Sequence, residues 1–97
     1  MNERVVRWTR HALRRLDEIG ACIAHDRPEG AARAISRIVV ATDSLAKNPG
    51  LGRQGRLPGT RELVLADIAY LIPYRVDRTQ IEILTVLHAA PRWPSSS

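Results

Sequence analysis

One histidine stands in a position suited to acid–base chemistry, His88. It follows residues 81–87, an apolar run rich in β-branched residues that predicts a strand. A side chain at the end of a strand leaves the core and can face a cleft, and histidine titrates near neutral pH. His88 is therefore a candidate general acid or base. The alternative is a hydrogen-bonded residue at the end of a strand.

Arginines are the most numerous side chains here that can bind phosphates or carboxylates. The chain has 15 Lys and Arg against 10 Asp and Glu, a net charge of +5, and its only lysine is Lys47. The excess lies in two blocks, residues 1–15 and residues 47–61, and the second contains no acidic residue. If that block folds over the sheet, it forms a patch for RNA or for an acidic protein, or else simply a solvated face. The predicted target-binding residues are Arg53, Arg56, Arg61, Arg75, Arg92 and Trp93, the last as a stacking surface.

Several other motifs carry no chemistry in this context. Residues 50–55 (GLGRQG) match the G-x-G-x-x-G dinucleotide fingerprint, but they follow a predicted helix and precede a strand, the reverse of what the fingerprint requires. The three histidines lack the short spacing of a metal site, and Cys22 has no second cysteine. We therefore expect no metal, no cofactor and no disulfide.

Length and composition predict one small domain over residues 1–97. The chain is 44% hydrophobic and 26% charged, typical of a soluble protein, and no apolar run approaches the roughly 20 residues that span a bilayer. The first fifteen residues carry five arginines and no apolar leader. These features predict a cytoplasmic protein without membrane contact, whose residues 91–97 form an irregular tail.

The pattern of apolar residues predicts the element order β-α-α-β-β-β. A strand over residues 4–8 precedes a helix capped by Thr9 that ends near His25, and a second helix begins at residues 26–28 and stops before Pro49. Residues 49–60 then form a basic loop, and strands follow over residues 62–65, 69–76 and 81–87. The last strand is apolar on both faces and should be central, whereas Pro73 indicates an edge position or a bulge.

Five segments together resemble the RelE/ParE toxin superfamily. They are residues 8–19 (WTRHALRRLDEI), 49–55 (PGLGRQG), 58–63 (PGTREL), 74–76 (YRV), and 81–88 with 92–94 (IEILTVLH and RWP). The resemblance implies an α+β fold in which a helical hairpin packs on a small, mainly antiparallel sheet. It also implies the toxin of a type II toxin–antitoxin system, associated with growth inhibition and plasmid stabilization. A cognate antitoxin would neutralise it in a heteromeric complex, its C-terminal segment packing along the helices or the sheet.

The superfamily has two activities, and the resemblance leaves both open. RelE-like members cleave mRNA on the ribosome, and ParE-like members poison DNA gyrase. The mRNA-cleaving members often place an arginine three residues before the tyrosine of the third strand, a position that Leu71 occupies here when counted back from Tyr74. Only His88 and Arg61 remain as candidate catalytic residues for mRNA cleavage. We therefore favour a ParE-like gyrase poison that is not an enzyme, with a ribosome-dependent mRNA endoribonuclease as the alternative.

Overall fold

Two helices pack against one face of a mixed sheet in residues 3–89, the part of the chain that the computed structural model describes. The predicted α+β fold is confirmed, with the predicted order extended by two very short strands. The elements are β1 (Val5–Trp8), α1 (Arg10–Asp26), α2 (Pro28–Asp43), a 3-10 turn (Ser44–Ala46), β2 (Arg53–Gln54), β3 (Thr60–Leu65), β4 (Tyr70–Val76), β5 (Gln80–Ile83) and β6 (Leu87–His88).

The sheet is mainly antiparallel, with one parallel pair. Its strand order is β1-β5-β4-β3-β2, and β6 pairs with β4 beyond the end of β5. β1 runs parallel to β5, and every other pair in residues 3–89 is antiparallel. β5 therefore lies inside the sheet, between β1 and β4, whereas the middle strand is β4; the prediction of a central strand holds only in that β5 is not at an edge.

The two helices begin where local sequence signals place them. The Thr9 hydroxyl accepts a hydrogen bond from the Ala12 N–H at 3.0 Å, which caps α1. Pro28 is the first residue of α2, where a missing N–H removes no helical hydrogen bond. α2 ends at Asp43, earlier than its apolar pattern suggests, and the 3-10 turn carries the buried Leu45 into the core.

The core lies between the helices and the inner face of the sheet. Alternation along β3 directs Leu63 and Leu65 inward, and Ile72 and Ile83 from β4 and β5 share that face. From the helical side, Ile38 is fully buried against them. Each such side chain contributes roughly 1.5–3 kcal/mol of transfer free energy. No helix within residues 3–89 is long and apolar enough to cross a bilayer.

The predicted strand over residues 81–87 is interrupted. β5 ends at Ile83 and pairing resumes only at Leu87, because α1 takes up the intervening carbonyls. The single hydroxyl proton of Thr9 is shared between the carbonyls of Ile83 and Leu84, which lie 2.9 and 3.2 Å from its oxygen, and the Arg15 Nε donates to the Val86 carbonyl at 3.1 Å. Tertiary hydrogen bonds to the helix thus override the β-propensity of this run.

Pro73 lies in β4, an interior strand, so an edge position is wrong. It pairs with Glu62 of β3 on one side, and its carbonyl accepts from the Leu84 N–H at 2.9 Å on the other. In an antiparallel ladder the nitrogen and carbonyl of one residue point the same way, so the missing N–H faces the interruption after β5. An interior proline is tolerated here because the neighbouring strand has just ended.

Asp77 fixes the turn between β4 and β5 and makes stability depend on pH. Its Oδ1 accepts hydrogen bonds from the N–H groups of Thr79 and Gln80, both at 2.9 Å, which lower the pKa of Asp77. A carboxyl with a lowered folded-state pKa stabilises the fold above its unfolded pKa of about 4 and loses that effect as the pH falls further. We expect Asp77→Ala to lower the melting temperature at neutral pH, and the gap from wild type to narrow in acid, by circular dichroism. A gap independent of pH would contradict this.

Candidate functional site

The basic loop between α2 and β3 is attached to the sheet through Tyr74. This fully buried tyrosine of β4 donates a hydrogen bond from its hydroxyl to the Pro49 carbonyl at 2.7 Å and accepts one from the Gly52 N–H at 2.8 Å. Burial raises the pKa of Tyr74, so the hydroxyl keeps its proton at physiological pH and remains a donor. Pro49 and Gly52, which lie on either side of Leu51, are thereby both held by the Tyr74 side chain.

Arg61 holds the same loop from β3. It lies opposite Tyr74 in the β3–β4 register and opposite Gln54 in the β2–β3 register. Its Nη1 donates to the Gly52 carbonyl at 2.6 Å, a short charge-assisted hydrogen bond. The peptide groups of Gly52 are therefore engaged on both the N–H and the carbonyl side, and Arg61 positions the loop.

A buried carboxylate, Glu62, orients the two arginines of the loop. Its Oε1 lies 3.2 Å from the Arg53 Nη2, and its Oε2 accepts from the Arg56 N–H at 3.3 Å and lies 3.7 Å from the Arg56 Nε. Sequence reasoning missed Glu62. The available signal was an acidic residue that directly follows an acid-free basic block inside a predicted strand.

The arginines predicted to form one target-binding patch lie on both faces of the sheet. Arg75 lies opposite Thr60 in the register and pairs with Glu82 at 3.6 Å, on the face away from the helices. Alternation along β3 places Glu62, with its arginines, on that same face and Arg61 on the helical face. Arg92 and Trp93 fall outside residues 3–89, so their predicted role stays a prediction.

His88 lines a groove at the other end of the β3–β4 hairpin. Its ring lies 5.2 Å from the Tyr70 ring, centroid to centroid, at a tilt of 44°. The groove has a volume of about 820 Å³ and is bordered by α1, α2 and the turn after β3. Its lining includes the cations Arg27, Arg33 and Arg37, and apolar side chains such as Ile23 and Ile68.

An ion pair closes one side of this groove. Arg37 donates from Nε and Nη2 to the two carboxylate oxygens of Asp67 at 2.9 and 3.1 Å, and these bonds lower the pKa of Asp67. The pair joins α2 to the β3–β4 turn, where Ala69 adopts a positive φ of 61°. Arg27, Arg33 and Glu29 also line the groove, so three arginines there face two carboxylates and its net charge is positive.

The structure does not bring His88 and Arg61 together. Tyr70 lies opposite His88 and Tyr74 opposite Arg61, so four strand residues, roughly 13 Å, separate the two positions. Leu71, at the position where the resemblance expects an arginine, is buried on the opposite face of β4 from Tyr70. Within residues 3–89, no three His, Cys, Asp or Glu side chains cluster closely enough to hold a metal ion.

Comparison with known proteins gives consistent matches over almost the whole chain. Residues 6–93 match the family model described as the ParE toxin of the type II toxin–antitoxin system parDE. A candidate toxin of Sinorhizobium fredii, Y4kP, is 58% identical over 94 residues, 97% of each chain.

Two solved structures also match. One describes the chromosomal ParDE TA system from P. aeruginosa, with a TM-score of 0.84 at 31% identity over 93% of this chain and 100% of that one. The other, the toxin–antitoxin complex RelBE2 from Mycobacterium tuberculosis, has a TM-score of 0.66 at 27% identity over 89% of this chain and 98% of that one.

Proposed function

This chain belongs to the ParE toxin family of type II toxin–antitoxin systems, and we propose that it arrests bacterial growth by binding and poisoning DNA gyrase. We favour gyrase over mRNA as the target because His88 and Arg61 are separated along the β3–β4 hairpin. In this proposal the toxin acts by binding, without a cofactor, and does not cleave RNA.

The separation matters because RNA cleavage by 2′-hydroxyl attack is a compact reaction. A base for the hydroxyl, an acid for the leaving oxygen and a cation for the phosphorane must all surround one phosphate. The positions of His88 and Arg61 are offset by roughly 13 Å along β4 and lie on opposite sides of that strand, and Arg61 already donates to the Gly52 carbonyl. Leu71 supplies no charge at the third position. These residues support a binding role better than a catalytic one.

The antitoxin has a suitable place in the groove between α2 and the β3–β4 turn. Apolar side chains such as Ile23 and Ile68 offer contacts for the apolar face of a peptide, and Arg27 and Arg33 offer contacts for its acids. Two of the solved structures similar to this chain are a ParDE TA system and a RelBE2 complex. We propose that an acidic, amphipathic segment of the cognate antitoxin folds into this groove and forms a heteromeric complex in the cytoplasm.

The test of gyrase poisoning uses the purified toxin in two parallel assays. We expect it to inhibit supercoiling by gyrase and to trap cleaved DNA, and to leave mRNA uncut when added to translating ribosomes with 5′ ends mapped. Unimpaired supercoiling at toxin excess together with ribosome-dependent cuts would establish the mRNA endoribonuclease alternative instead.

A histidine variant sharpens the same test. We expect His88→Ala to keep growth arrest and supercoiling inhibition within about twofold of wild type, because a binding toxin needs no general acid at the groove. His25→Ala is the matched control, since His25 is exposed on α1. Loss of toxicity in His88→Ala but not in His25→Ala, with equal melting temperatures, would favour catalysis.

A further inference from the structure

Four exposed side chains follow one another along β2 and the segments that flank it. They are Leu51, Arg53, Arg56 and Leu57, and we call them the edge surface. Leu51 and Leu57 are 56% and 66% exposed, and the side chains of Arg53 and Arg56 are 61% and 77% exposed. Since β2 is the last strand in the order of the sheet, these residues border solvent.

The arginines of the edge surface are held in place before any partner binds. The Glu62 carboxylate that they contact is buried, whereas both arginine side chains are mostly exposed, so these ion pairs are open to solvent and contribute little to stability. What Glu62 does provide is orientation: one oxygen accepts from the Arg53 guanidinium, and the other accepts from the backbone N–H of Arg56 and lies 3.7 Å from the Arg56 Nε. Side chains that are already ordered lose less entropy on binding.

The composition of the edge surface fits a protein partner. Arginine beside exposed apolar side chains is typical of the centre of protein–protein interfaces. Residues 47–61 contain no aromatic residue, so this segment lacks the stacking platform of single-strand nucleic-acid binders. The same residues carry four basic side chains against the one Glu62 carboxylate that contacts Arg53 and Arg56, so the surface keeps a net positive charge, which favours an acidic partner surface.

The edge surface is separate from the groove. Tyr74 and Arg61 anchor the loop at one end of the β3–β4 hairpin, and the groove with Tyr70 and His88 lies at the other. We infer that the edge surface is where the toxin contacts its target, an acidic and partly apolar surface of gyrase. This inference rests on the function proposed above and deepens it by naming the face that binds.

The experiment places a negative charge at the apolar positions and leaves the arginine–Glu62 cluster intact. Leu57→Asp and Leu51→Asp are compared with Val40→Asp, which makes the same kind of change at a position 63% exposed on α2. We expect each edge variant to raise the toxin concentration for half-inhibition of gyrase supercoiling at least tenfold and to relieve growth arrest. Val40→Asp should stay within twofold of wild type, and all three should melt close to wild type.

The edge variants and the wild-type toxin test the two proposals separately. If the edge variants inhibit gyrase as strongly as Val40→Asp, the edge surface is not the contact, whereas gyrase poisoning stands. If inhibition is lost only together with the melting transition, the effect is on folding and the inference is likewise overturned. If wild-type toxin leaves gyrase unaffected, the proposed function fails, and gyrase as the occupant of the edge surface fails with it.

Discussion

Gly52→Ala is expected to release the basic loop from the sheet and to lower the melting temperature by more than 10 °C. A Cβ at this position would lie 2.8 Å from the Glu62 carbonyl oxygen and 2.8 Å from both the Cε1 and the hydroxyl of Tyr74. The first is backbone of β3 and the second a fully buried ring, so neither can move aside without disturbing the core.

The expected fall in melting temperature is the sum of two destabilising effects of a Cβ at Gly52. Overpacking costs roughly 1–3 kcal/mol, and shifting Gly52 breaks its hydrogen bonds to Tyr74 and Arg61, where each buried group left unpaired costs about 1–3 kcal/mol. In a domain of this size each kcal/mol changes the melting temperature by roughly 4–8 °C. The loop that carries Arg53 would then lose its fixed position, and we expect growth arrest to weaken.

Gly50→Ala is the matched control for this prediction. Nothing lies within 4 Å of a Cβ built at Gly50, so the variant should melt within about 2 °C of wild type. Thermal unfolding followed by circular dichroism compares the two. Equal melting temperatures for Gly52→Ala and Gly50→Ala would show that the loop does not pack as described.

Tyr74→Phe is expected to destabilise the protein by about 1–3 kcal/mol through the loss of one oxygen atom. The ring and its packing remain, but the N–H of the buried Gly52 and the carbonyl of Pro49 both lose their partner. We expect a melting temperature lower by roughly 4–24 °C, with faster amide exchange at Gly52. The measurements are thermal unfolding and hydrogen exchange.

Tyr70→Phe is the control for the hydroxyl effect. Tyr70 is half-buried on the same strand, and within residues 3–89 its hydroxyl forms no hydrogen bond that holds a loop. Its variant should therefore melt near wild type. A second check is the double variant Tyr74→Phe/Gly52→Ala, whose destabilisation should be less than the sum of the two, because both changes break the same hydrogen bond. Additive effects would contradict a shared role.

The role of the glycines in residues 50–55 depends on the fold as well as on the sequence. Its order after a helix and before a strand excluded dinucleotide binding, but not what the glycines do instead. At Gly52 and Gly55 the loop passes so close to β3 that a Cβ would meet backbone, 2.8 Å from the Glu62 oxygen and 2.9 Å from the Thr60 oxygen. The spacing therefore serves close approach of two backbone segments, which only the fold reveals.

The sequence by itself determined the helices, the main strands and the family, because these depend on local signals. The Thr9 cap, the proline at the start of α2 and the alternation along β3 act within a few residues of chain. The basic character of the loop is likewise a property of composition. Such signals predict which residues form elements and which surface carries charge.

Only the tertiary structure decided which of these residues act together. Arg61 and His88 both looked catalytic, yet strand register places them at opposite ends of one hairpin. Glu62 looked like an ordinary strand residue, yet it is the buried partner of two arginines. The physical reason is that register and side-chain direction are set by pairing between distant segments, where a shift of one residue moves every side chain to the other face.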